Sequence, residues 1–200
     1  MSLSDTETRR GSGSVERHRW PEMPAAGEHS GRTAPSRGEF WLVAGVFCLL
    51  FFAAGAPSPL YGVYQAQLRF SATTLTAIFA IYALVLLLTL LIFGSLSDYL
   101  GRRPVILAAL VVSAGACAVF LAAHSVGLLF TARALQGVAV GTAIGALGAA
   151  LLDLQPGGSG LAPLITAAAP ALGLGAGALG TSTLAQYEPA PTRLVWWLLL

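Results

Sequence analysis

The chain has no lysine, and past residue 39 its acidic residues are down to Asp98, Asp153 and Glu188. Only 10% of its 200 residues are charged, against 56% hydrophobic, and the mean hydropathy is +0.73. That balance excludes an ordinary soluble globular domain. A formal net charge of +2, with no basic patch interleaved with aromatics, gives no footing for nucleic acid. Cysteine is scarce too. Cys48 and Cys117 both fall inside apolar runs, where a thiol acts as a small packing residue. No cysteine–histidine cluster is spaced to hold a metal, and no cofactor is expected. The all-arginine choice of basic residues reads as coding bias and carries no mechanism.

What the chain does have is a series of apolar runs near the roughly 20 residues that a spanning helix needs. Residues 1–38 contain none. They are rich in Ser, Gly, Arg, Glu and Pro, and are expected to form a disordered cytoplasmic tail. No apolar segment lies near the start, so the first run should be an uncleaved anchor. Residues 39–200 are expected to form the membrane domain. The spans fall at about 40–57, 72–96, 104–123, 126–152 and 161–184, and an incomplete sixth occupies 193–200. The fold class is therefore all-α and polytopic. Five spans and a fraction read as a fragment of a longer protein.

Punctuation between the runs supports these bounds. Pro57-Ser-Pro59 is expected to end the first span, leaving Tyr61, Tyr64 and Phe70 for an interfacial aromatic belt. Ser71 is a candidate N-cap, and Pro104 sits in a first helical turn, where proline is tolerated. The short turn at His124-Ser125 makes the third and fourth spans antiparallel neighbours. Asp153–Gly160 is turn chemistry, and Thr192 can cap the sixth span. Arginines favour the N-terminus inside: Arg32, Arg37, Arg102 and Arg103 lie near inner ends, against Arg69 and Arg193 outside.

Two motifs stand out. The turn Gly94-Ser-Leu-Ser-Asp98-Tyr-Leu-Gly101-Arg102-Arg103 places charges between two long apolar runs. Taken alone it is a solvated turn obeying the positive-inside rule, with Gly101 allowing a tight bend. Asp153 ends the fourth span on the same side, where it can pair with Arg102. The second motif is Leu129-x-x-x-Arg133-x-x-Gln136-Gly137, whose Arg133 and Gln136 share one helical face. Arg133 stands roughly 10 Å from the outer end of its span, so it either snorkels outward or faces an inner cavity. Gly137, Gly141 and Gly145 recur every four residues, a smooth stripe for close helix packing.

The first motif resembles the signature turn between the second and third helices of the major facilitator superfamily, departing at Ser97 and Tyr99. The second is similar to that family's fourth-helix pattern without departure at Leu129, Arg133, Gln136 and Gly137. In the fifth span, Pro170, Gly173, Gly175 and Gly177 partly resemble the pattern of family antiporters, with Ile165, Ala169 and Leu174 in place of three glycines. Pro170 and Gly173 are read as helix packing. The resemblance covers about residues 40–200, the six-helix N-terminal half of such a transporter. It implies alternating access in the plasma membrane, with the C-terminal half as the missing partner and a small polar or amphipathic molecule as substrate. It further implies a gating cluster of Gly94, Asp98, Gly101, Arg102, Arg103 and Asp153 that latches the cytoplasmic face. Arg133, Gln136 and Tyr82 would line the transport path or carry coupling, to protons among other routes, although no carboxylate lies inside a span.

Other classes fit less well. An intramembrane enzyme needs a converging nucleophile and base, or two acids, and the spans hold neither. Gly175-x-Gly177-x-x-Gly180 lacks the strand that a dinucleotide fingerprint requires. Gly157-Gly-Ser159-Gly160 matches an intramembrane serine protease pattern, but it lies in a polar link with no base nearby. A non-transporting remnant of half a transporter is the alternative to a transporter.

Overall fold

The computed structural model describes residues 37–94, 99–155, 159–187 and 191–200, except the side chains of 187 and 191–193. Every regular element among them is an α-helix: α1 (Arg37–Gly55), α2 (Pro57–Leu68), α3 (Ala72–Phe93), α4 (Arg102–Leu121), α5 (Val126–Leu154), α6 (Leu161–Tyr187) and α7 (Pro191–Leu199). Five helical stretches are long and apolar enough to cross a membrane, and α1 with α2 counts as one of them, 32 residues long. The chain is a multi-pass membrane protein.

Local chemistry sets the helix ends. Ser71 accepts from the Thr74 N–H at 3.2 Å to start α3, and Ser125 accepts from the Leu128 N–H at 3.4 Å to start α5. Gln155 reaches across its link, its Oε1 accepting from the Ala162 N–H at 2.9 Å in the first turn of α6. Gly101 precedes α4 with φ +86°, a conformation that other residues rarely adopt.

Pro57, expected from the sequence to end the first span, does not stop it; the helix resumes at once and runs to Leu68. Ala56 keeps a right-handed helical backbone, with φ −53° and ψ −38°, and Pro57 takes the first position of α2, where its missing N–H costs little. A second correction follows. Tyr61 and Tyr64 do not lie in an interfacial belt but are each 2% exposed inside the bundle. The remaining bounds shift by a few residues. The tail and residues 95–98, Asp98 included, lie outside the described residues.

The helices α5 and α3, α5 and α4, and α1 and α6 pack most extensively. Glycines set the closest approaches. A Cβ on Gly137 would come within 2.8 Å of the Tyr82 carbonyl, one on Gly141 within 2.7 Å of the Leu86 carbonyl, and one on Gly145 within 2.7 Å of the Gly94 carbonyl. Gly173 lies against Phe51 and the Cys48 carbonyl of α1 in the same way, and Gly177 against the Phe52 carbonyl. Pro170 stays within α6, half-buried and without ending it.

The core divides into two apolar clusters. One gathers Phe40, Phe47, Phe51, Leu147, Leu151 and Ala162 near the Arg37 end. The other gathers Leu60, Tyr61, Tyr64, Phe120, Leu129 and Trp196 near the Leu68 end. In the latter, Trp196 stacks on Phe120 with centroids 4.3 Å apart, and its indole N–H donates to the Tyr64 hydroxyl at 3.1 Å. Outward-facing leucines such as Leu84, Leu88 and Leu91 leave α3 apolar all round, as a helix in hydrocarbon must be.

Candidate functional site

Two arginine sites flank the apolar interior. At the first, Arg102 opens α4 and Asp153 lies in the last turn of α5. Arg102 Nη1 forms an ion pair with Asp153 Oδ2 and also donates to the Ala149 carbonyl at 2.6 Å. One guanidinium therefore joins the first turn of α4 to the last turn of α5. The pair is open to solvent, with Arg102 32% and Asp153 64% exposed, so its static contribution to stability is small. Gly94 and Gly145 meet beside it, closing α3 onto α5. Arg103 is exposed, and Asp98 lies outside the described residues. A largely apolar cavity of about 540 Å³ adjoins this end, lined by Val43, Val46, Ile106 and Leu110 with Arg102, Arg103 and Asp153 among its polar walls.

The second site is built on Arg133 of α5, which is 2% exposed and so does not snorkel. Its Nε donates to the Tyr61 hydroxyl at 2.6 Å, and its Nη1 donates to the Ala54 carbonyl at 3.0 Å and to Gln136 Oε1 at 3.1 Å. Gln136, 1% exposed, donates from Nε2 to the Ala53 carbonyl at 2.9 Å. The break in the first span explains why those carbonyls are available. Pro57 has no N–H, so the Ala53 carbonyl loses its helical partner four residues on. Gln136 supplies the replacement from across the bundle.

Aromatic rings complete the enclosure. The guanidinium carbon lies 5.2 Å from the Tyr61 and Phe79 ring centroids and 5.3 Å from that of Tyr82. Rings at this range attract a cation, more strongly away from water. Arg133, Gln136 and Tyr82 thus come together, on α5 and α3, at the helix break. Thr89, another polar residue of the third element, instead packs beside Gly141.

The sequence assigns Tyr61 to an interfacial belt instead of this site, and does not single out Phe79. Taking Pro57 as a stop hides the position of Tyr61. A helix continued through Pro57 places Tyr61 four residues on, about one turn past the break. Phe79 and Tyr82 are three apart on α3, a spacing that puts them on one face. Tyr82 marks that face in the sequence, and in a helix otherwise apolar nothing marks Phe79 beside it.

The description of the family whose sequence model matches is the Major Facilitator Superfamily, over residues 43–200. No curated protein matches the chain.

Proposed function

This chain belongs to the Major Facilitator Superfamily, and on that premise we propose that it forms the N-terminal half of a transporter working by alternating access. Membership makes it part of a secondary transporter; the working parts are the proposal. Residues 39–200 form the moving bundle, with the N-terminus in the cytoplasm, a placement that the arginine bias supports. The C-terminal half completes the path, and the cargo is a small polar or amphipathic molecule.

The carrying observation is the Arg102–Asp153 ion pair, reinforced by the bond to the Ala149 carbonyl. It ties the cytoplasmic ends of α4 and α5, and the proposed third member is Asp98, four positions before Arg102 in sequence. A solvent-facing pair suits a contact that must make and break, because its net stabilisation is small. Closed, the cluster latches the cytoplasmic face; released, it lets the halves rock. Arg133 and Gln136, enclosed with Tyr82 at the helix break, would carry coupling from within the bundle.

Uptake by the full-length protein in proteoliposomes, with and without a proton gradient, tests this reading. Asp98→Asn should cut uptake several-fold while leaving membrane insertion intact. Unchanged uptake by that variant would remove Asp98 from the latch. Uptake that ignores the gradient would exclude proton coupling.

A further inference from the structure

The short helix α2 is weakly tied to the helix it continues. Pro57 and Pro59 have no N–H, so two rungs of the backbone ladder across the junction with α1 are missing. Its 12 residues make about 18 Å of helix, too short to hold a direction alone. The orientation of α2 therefore depends on what its side chains grip. Its buried residues are Pro57, Leu60, Tyr61 and Tyr64, spaced to share one face. Among the described residues, the side-chain hydrogen bonds that join α2 to other helices are those of Tyr61 and Tyr64.

The two phenols grip different partners. The Tyr61 hydroxyl accepts from Arg133 Nε of α5 at 2.6 Å. Tyr64 lies nearly a turn further out. Its hydroxyl accepts from the Trp196 indole N–H at 3.1 Å and donates to the Phe120 carbonyl at 3.4 Å. The Trp196 and Phe120 rings stack, 4.3 Å apart and 6° from parallel, so α2, α4 and α7 close a triangle of contacts. Local chemistry places its corners. Phe120 lies in the last turn of α4, where carbonyls lose their helical partners. Trp196 is fully buried while Trp197 beside it is 67% exposed, so α7 presents one indole inward. Beyond Tyr64 the ties are local: Gln65 Nε2 donates to the Phe70 carbonyl, and the Arg69 N–H to the Gln65 carbonyl.

We propose that Tyr64 and Trp196 are positioning residues for Arg133. They fix the outer end of α2 against α4 and α7. That sets the tilt of α2 beyond the break at Pro57, and with it the place of the Tyr61 hydroxyl on Arg133 Nε. A displacement of α7 is thus passed to the guanidinium of α5 through Tyr64 and Tyr61, two residues of one short rigid helix. On the transport reading this links the sixth span to the cluster assigned to coupling. The positioning itself does not need that reading.

Side-chain NMR of the full-length protein carrying isotopically labelled arginine reads the Arg133 Nε–H directly, its signal identified by its loss in Arg133→Lys. Tyr64→Phe keeps the ring and removes both bonds of the hydroxyl. It should shift that signal and speed its exchange with water about tenfold, the equivalent of one lost hydrogen bond. Trp196→Phe keeps a ring for Phe120 and removes the indole N–H. Its effect should be in the same direction and smaller, because the bond from Tyr64 to the Phe120 carbonyl remains. Phe47→Leu loosens the other apolar cluster, controls for lost stability, and should leave the signal in place. An Arg133 signal unmoved by both Tyr64→Phe and Trp196→Phe overturns the proposal, as does one moved equally by Phe47→Leu. If Tyr64→Phe fails to fold, Trp196→Phe carries the test. The readout uses no cargo, so the positioning and the transport reading can fail separately.

Discussion

Arg102 and Arg133 are the same residue type placed in opposite surroundings, and under the proposed latch the contrast separates a switch from a fixture. Arg102 is a third exposed and meets an acid that is itself mostly in water. Arg133 is 2% exposed, meets only neutral acceptors and aromatic rings, and is held from three elements. A surface ion pair is worth about 0–1 kcal/mol, little enough to be remade in each cycle of the proposed alternating access. Removing a buried charged hydrogen-bonding partner costs several times that, so the Arg133 cluster should move as one piece. The proposal thus puts the geometry that opens and the geometry that stays put at different parts of α5.

Perturbing the shared scaffold should have the largest effect. Gly137→Leu would drive a side chain into the Tyr82 carbonyl and the Leu86 N–H. Overpacking against backbone should cost upward of about 3 kcal/mol, read as loss of folded protein after detergent extraction. Gly175→Leu, where nothing lies within 4 Å, is the control and should be tolerated. If both variants behave alike, the glycine contacts do not set the α3–α5 spacing.

Next in size are changes at the Arg133 cluster. Gln136→Met leaves the Ala53 carbonyl without its partner, at about 1–3 kcal/mol in unfolding free energy. Tyr61→Phe keeps the ring and removes the acceptor of the Nε bond, a loss of about 1.5–3 kcal/mol. Reinstating an N–H by Pro57→Ala should lessen the cost of Gln136→Met, because the freed carbonyl would regain a helical donor. Full additivity of those two changes would contradict the account of the break.

At the other end the effect on stability should be smallest. Asp153→Asn should shift unfolding by no more than about 1 kcal/mol while lowering uptake several-fold. A variant that unfolds readily would make the pair a structural strut and erase the contrast with Arg133.

Much of this is legible in the chain itself. Long apolar runs, Ser71 and Ser125 at helix starts and the four-residue glycine repeat all report local chemistry, which sequence carries directly. The spacing of Arg133 and Gln136 put them on one face, and the ends of the third and fourth spans brought Arg102 near Asp153. The failure came at Pro57, whose effect depends on what lies across the bundle. A proline that frees carbonyls ends a helix in water, but here Arg133 and Gln136 are 79 and 83 residues away in sequence and supply the missing donors. That long-range repair turned an expected interfacial segment into the wall of a buried site. Tyr61 and Tyr64 lie in the core with it, beside Trp196.

The measurement closest to the central claim is uptake by the full-length protein with the latch charges exchanged. Arg102→Asp and Asp153→Arg should each reduce transport several-fold, and the double exchange should recover a substantial part of it, with insertion equal throughout. Single variants that transport normally, or a double exchange no better than either single, would contradict a latch carried by that ion pair.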